Sequence, residues 1–75
     1  NKRNSGFGTL TEFENNNSNA IIDNKGYIMG PRVLIYDKFG KKVSARDLEL
    51  PVPVYIEFSY APEGTVIHLL RVTPR

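Results

Sequence analysis

No cysteine occurs among the 75 residues of this chain, which excludes a disulfide framework and a thiolate metal site and leaves packing and backbone pairing to supply stability. Charge of one sign is scarce too. Ten Lys and Arg against eight Asp and Glu leave a net charge of +2, too little to draw in a polyanion unless the cations cluster locally. The longest apolar run, Val33-Leu34-Ile35-Tyr36, is four residues long, against about eighteen for a membrane-spanning helix, so a soluble chain with no membrane span is expected. Asn1 stands where an initiator Met would, as in a processed protein or a piece of a longer one, and any signal peptide would be invisible. The lack of cysteine fits an exported protein as well as a cytoplasmic one, and the compartment stays open.

Helical periodicity is also missing: no stretch of about ten residues repeats its apolar positions at helical spacing. Short β-type runs punctuated by turn residues take its place. Asn1 to Gly6 is polar and reads as a mobile lead-in (residues 1–6), with a single barrel domain over 7–75. A chain of this size buries only about 60% of its unfolded surface and holds one thin core. Phe7 to Glu14 is rich in Thr and Phe and predicts a first strand, with Gly8 marking a bend or bulge. Asn15-Asn16-Asn17-Ser18 predicts a loop. Ala20-Ile21-Ile22 and Tyr27-Ile28-Met29 flank Asp23-Asn24-Lys25-Gly26, a hairpin in which Asp23 starts the turn and Gly26 closes it with positive φ. Asp37-Lys38-Phe39-Gly40 and Ala61-Pro62-Glu63-Gly64 repeat the device. Ser44, with Asp47 three positions on, predicts one capped helical turn. Val54, Ile56 and Phe58 alternate with Tyr55, Glu57 and Ser59 along a strand from Val52 to Tyr60. The last strand, Thr65 to Thr73, breaks parity and calls for a bulge or cover on both faces. One strand every 8–12 residues or so predicts an all-β fold, a small five- or six-stranded OB-like barrel with one short helical turn.

The residues Gly8-Thr9-Leu10, Ile21-Ile22-Asp23 with Gly26-Tyr27, Ile35-Tyr36-Asp37 with Gly40, Ser44 with Asp47-Leu48, Val54-Tyr55-Ile56 and Val72-Thr73-Pro74-Arg75 resemble an uncharacterised bacterial family of small single-barrel domains from exported and lipoprotein-like chains. The resemblance implies a barrel over nearly the whole chain and an exported or periplasmic setting, and it implies no activity. It departs from the family at Pro51, where Gly is usual. The opening Gly8-Thr9-Leu10 with Phe13, and Val54-Tyr55-Ile56-Glu57-Phe58, are also similar to a cold-shock domain. That family's nucleic-acid-binding stretches are missing, however: Lys25-Gly26-Tyr27-Ile28 keeps a fragment of the first, and Val33-Leu34-Ile35-Tyr36 lacks the aromatics and His of the second.

No residues point to catalysis. The single histidine, His68, lies between apolar neighbours with no nucleophile close in sequence, which reads as a rim or part-buried side chain. Glu12 and Glu14 share a strand face and read as solvated acids on an edge. No calcium-loop or phosphate-loop spacing is present, so neither metal nor cofactor is expected. The expected function is a non-catalytic binding or interaction module of unknown ligand, with a protein or a polymer among the partners open to it and single-stranded nucleic acid as the alternative. The candidate ligand surface is Lys25, Tyr27, Arg32, Tyr36, Lys38, Phe39, Lys41 and Lys42, cations interleaved with rings that stack on bases. The module reading points instead to Tyr55 with Glu57, and to Tyr60, on the opposite face of their strand. Arg32, Lys38, Lys41, Lys42, Arg46 and Arg71 gathered in one groove would favour the polyanion; scattered, they would favour the module.

The expected core is Leu10, Ile22, Ile35, Val43, Leu48, Leu50, Val54, Ile56, Phe58, Ile67 and Leu70. Replacing Ile56 with Ala is expected to cost about 2–5 kcal/mol by cavity formation. A urea midpoint that did not move would mean the strand has the wrong phase.

Overall fold

The computed structural model describes residues 2–74. Asn1, in the expected lead-in, and Arg75, at the expected end of the domain, lie outside the described residues. Five strands form: β1 (Asn4–Glu14), β2 (Asn19–Ile22), β3 (Lys25–Tyr36), β4 (Val52–Ala61) and β5 (Gly64–Val72), with a 3-10 turn at Ala45–Asp47 between β3 and β4. They close into a barrel in the order β1-β2-β3-β5-β4. All neighbours are antiparallel except β3 and β5, which run parallel.

Two boundaries differ from expectation. β1 starts inside the expected lead-in, at Asn4, because β4 is long enough to offer partners there: Asn4 lies opposite Phe58 and Ser5 opposite Glu57. Pairing is a backbone matter, and polar side chains do not prevent it. The two apolar runs at Tyr27-Ile28-Met29 and Val33-Leu34-Ile35-Tyr36 belong to one strand, so the count is five. Pro31 between them breaks nothing, since β2 pairing stops at Ile28 and the β5 ladder is interrupted between Met29 and Leu34. A residue without an N–H costs no ladder bond in that gap.

The turns obey backbone chemistry. Asn15, Asn16 and Asn17 are all left-handed, with φ of 54°, 56° and 66°, a conformation that Asn tolerates better than most residues. Ser18 closes the loop by donating its N–H to Asn15 O at 3.1 Å. In the β2–β3 hairpin the positive φ falls on Asp23 and Asn24, at 51° and 64°, and Gly26 is an ordinary strand residue. Two consecutive positive φ values are what a two-residue loop needs to match the strand twist. The Asp23 carboxylate also accepts the Thr9 N–H at 3.0 Å. It lies where a Cβ on Gly8 would stand, 2.6 Å from Asp23 Oδ2 and from Ile22 Cγ2. Gly8 therefore permits a close approach; the bulge in β1 falls later, between Leu10 and Glu12. At the 3-10 turn, Ser44 N–H and Ser44 Oγ–H both donate to Asp47 Oδ2 at 2.9 Å.

Leu10, Ala20, Ile22, Met29, Ile35, Val54, Ile56, Ile67, Leu70 and Val72 fill the barrel. Val43, Leu48, Leu50 and Phe58, expected in the core, are part-buried and pack against it. Val43 and Leu48, with Ala45 and Leu50, come from the β3–β4 connection, which thereby plugs one end of the barrel. Among the described residues the opposite end carries two tight turns, Asp23-Asn24 and Pro62-Glu63, and the start of β1 at Asn4. Parity in β5 changes at His68, which has no opposite residue: Glu57 faces Leu69 and Phe58 faces Ile67. This bulge lets both Ile67 and Leu70 point inward.

Gly30 is buried where β3 crosses β5, and a Cβ there would lie 2.9 Å from the Ile67 carbonyl oxygen and 3.2 Å from Val66 Cγ1. Gly30→Ala is expected to lower the thermal midpoint by the equivalent of about 1–3 kcal/mol of overpacking. Gly26→Ala, whose Cβ meets nothing nearer than 4.0 Å, serves as the control and should change it far less.

Candidate functional site

The register of the barrel creates a row of side chains across its outer surface. Phe7 on β1 lies opposite Tyr55 on β4, Tyr55 opposite Arg71 on β5, Arg71 opposite Tyr36 on β3, and Tyr36 opposite Lys42 in the segment that folds back beside β3. Directly opposed residues project to the same face. Because Leu10, Val54, Ile56 and Leu70 point inward, these alternate positions point out. The row is in contact along part of its length: the Phe7 and Tyr55 ring centroids are 5.3 Å apart, and the Arg71 guanidinium sits 4.7 Å over the Tyr55 ring. Tyr55 Oη donates to Glu57 Oε2 at 2.9 Å, and Glu57 Oε1 pairs with Arg3 Nη1 at 3.3 Å. Glu57 is thus occupied by its neighbours. Phe7 is 75% exposed.

The eight residues expected from the sequence to form a ligand surface fall in four places. Tyr36 and Lys42 join the row. Lys25 and Tyr27 lie at the opposite end of β3, around the unplugged mouth of the barrel beside Phe58 and Tyr60. Lys38, Phe39 and Lys41 form the turn after β3, and Arg32 is exposed in the stretch of β3 that neither neighbour pairs. In that turn the Asp37 carboxylate accepts the N–H groups of Phe39 and Lys41, both at 2.9 Å. Phe39 is 84% exposed, with Lys38 Nζ 5.3 Å from its ring centre. A shallow cleft beside it is walled by Asp37, Asp47 and Glu49 as well as Lys38, so the cations of this turn face carboxylates. Arg46 and Lys41 likewise act on Asp47. The six cations that would have to share a groove are therefore scattered over the row, the turn, the 3-10 turn and mid-β3.

Phe7, expected only as the first residue of a strand, and Arg71, its neighbour-but-one across the sheet, are not legible in the sequence as one surface, since strand register connects them. The same holds for a side-chain pair across β4 and β5: Ser59 Oγ and His68 Nε2 share a hydrogen bond of 2.6 Å, both residues half-buried. Glu12 and Glu14 are exposed. Among the described residues no group of three or more His, Cys, Asp or Glu is gathered to hold a metal ion, and no helix is long and apolar enough to cross a membrane. No family model matches the chain, and no curated protein or solved structure matches it significantly.

The two Ser44 hydrogen bonds, backbone first and side chain second, hold Asp47 below its ordinary value of 3.8, with Arg46 and Lys41 adding to the effect. A carboxylate depressed in the folded state contributes stability that is present above its unfolded value and is lost as pH falls through the folded one. Asp47→Asn is therefore expected to lower the urea midpoint slightly at neutral pH. The gap to the unsubstituted protein should close as pH is taken down from 3.8; a gap independent of pH would show that the charge plays no part.

Proposed function

We propose that this chain is a non-catalytic binding module on an OB-like barrel, engaging a protein or polymer partner through the outer face of β1, β4, β5 and β3. The observation that carries this reading is the outward-facing row Phe7, Tyr55, Arg71 and Tyr36, in which Phe7 and Arg71 are exposed and the two tyrosines half-buried. A ring as exposed as Phe7 contributes little to folding and is costly to keep in water, and aromatic side chains beside an Arg are among the residues enriched at interaction surfaces. Five strands, with a meander and a hairpin joined through a short helical turn, support the OB-like assignment. The resemblance to barrel domains of exported bacterial chains supports an exported setting.

Single-stranded nucleic acid is the second reading, and one feature favours it. The row alternates rings with cations, Tyr55, Arg71, Tyr36 and Lys42 in order, the pairing of stacking platform and phosphate contact that single strands use. Against it stand the scatter of the remaining cations and the acids beside Lys38.

Phe7→Ser separates a functional ring from a structural one. With Phe7 75% exposed, the urea midpoint should stay within the equivalent of about 0.5 kcal/mol; a loss several times larger would make the Phe7–Tyr55 contact part of the fold and remove the basis of the proposal. A titration with a mixed-sequence single-stranded oligonucleotide, followed at each backbone amide, then decides between partners. Shifts along the row that weaken with added salt would put nucleic acid first, and none at low salt would leave a protein or uncharged polymer.

A further inference from the structure

We infer that the unplugged end of the barrel is a separate small-ligand site that takes one planar aromatic ring carrying an anionic group, of the size of a nucleoside monophosphate. It shares no residue with the outer row and does not depend on the reading given for that row.

The inward-facing positions of three strands continue past the core at this end. Lys25 and Tyr27 precede Met29 on β3, Phe58 and Tyr60 follow Ile56 on β4, and Thr65 precedes Ile67 on β5. At the other end equivalent positions are roofed by Val43, Leu48 and Leu50. Among the described residues this end is bordered by the turns Asp23-Asn24 and Pro62-Glu63 and by the start of β1, where Asn4 lies opposite Phe58, and the side chains wall an open cleft of about 340 Å³, within the range of about 300–1,000 Å³ typical of small-ligand sites. Mouths of barrels are a common place for them.

The lining states the chemistry. Tyr27 meets Phe58 edge to face at 6.1 Å and 69°, and Phe58 meets Tyr60 at 5.8 Å and 81°. Successive perpendicular rings offer both a face and an edge to an inserted ring, the two favoured aromatic geometries. Tyr60 lies not on the outer face expected of it beside Tyr55 but on the inward face with Ile56 and Phe58, and it is 74% exposed there, so this ring is left without the cover its position calls for. The one charged side chain of the lining is Lys25, exposed and without an ion-pair partner among the described residues. A cationic ligand is repelled there and an anionic substituent attracted, and Thr65, on the strand between Lys25 and Tyr60, brings a neutral hydroxyl to the lining.

Adenosine 5′-monophosphate, adenosine and inorganic phosphate, each titrated into isotope-labelled protein, test the assignment. The monophosphate is expected to shift the amides of Gly26, Tyr27 and Thr65 saturably, with adenosine weaker by about ten-fold. Lys25→Gln should bring the monophosphate down to the level of adenosine. Tyr60→Ala should weaken both by about ten-fold, as loss of a stacking partner does. Both side chains are exposed, and an unchanged urea midpoint shows that the variants fold. Absence of saturable shifts with millimolar monophosphate, shifts at Tyr55, Arg71 and Tyr36 in place of the mouth, adenosine binding as tightly as its monophosphate, or phosphate alone binding as tightly as either would each overturn the proposal.

Discussion

The β1–β2–β3 meander and the β4–β5 hairpin are joined by antiparallel pairing of β1 with β4, and the parallel pairing of β3 with β5 closes them into one barrel. Without it the chain would be one open sheet with β3 and β5 as long unpaired edges, which small domains cannot leave open without risking edge-to-edge association. The pairing has its own requirements. β3 must cross β5 at a point where no side chain intervenes, which Gly30 meets by lying against the Ile67 carbonyl. β5 must also turn over its face midway, which the bulge at His68 accomplishes. Pro31 is tolerated in the same gap because the ladder is already interrupted there. One closure thus explains a buried glycine, a proline within a long strand and a parity break in the last strand.

Closure also makes the two ends unequal. A parallel pair needs a crossover, and the chain between β3 and β4 is part of it. It is long enough to lay Val43, Ala45, Leu48 and Leu50 over the core, held in shape by Ser44 and Asp47. The hairpin turns at the other end have no such reach. Inward positions there end in Tyr27, Phe58 and Tyr60, which cover one another edge to face and remain accessible. The outer row has the same origin. Once β1 is registered on β4, β4 on β5 and β5 on β3, four residues remote in sequence stand side by side, and the Arg71–Tyr55 stack follows from their opposition.

The sequence by itself determined the all-β class, most strand positions, the turn at Asp37 to Gly40, the helical turn at Ser44 to Asp47 and the seven deepest expected core residues, including Leu10, Ile22, Ile56 and Leu70. Each of these is local: alternation along one strand, a carboxylate reaching its own backbone, a ring or a branched side chain with nowhere polar to go. The buried residues absent from the expected core are Ala20, Met29, Val66 and Val72; Ala20 is small, and Met29 ends its apolar run next to Gly30-Pro31. Asp23 and Asn24, not the expected Gly26, carry the positive φ of the first hairpin, because the sequence does not state where a short strand stops. Only the tertiary structure decided which candidate residues meet. Lys25 and Lys42 are separated along the length of β3, whereas Phe7, Tyr55, Arg71 and Tyr36 come together, and so do Ser59 and His68. The physical reason is that side-chain proximity across a barrel is set by register, and a single unopposed residue at a bulge shifts every pair beyond it.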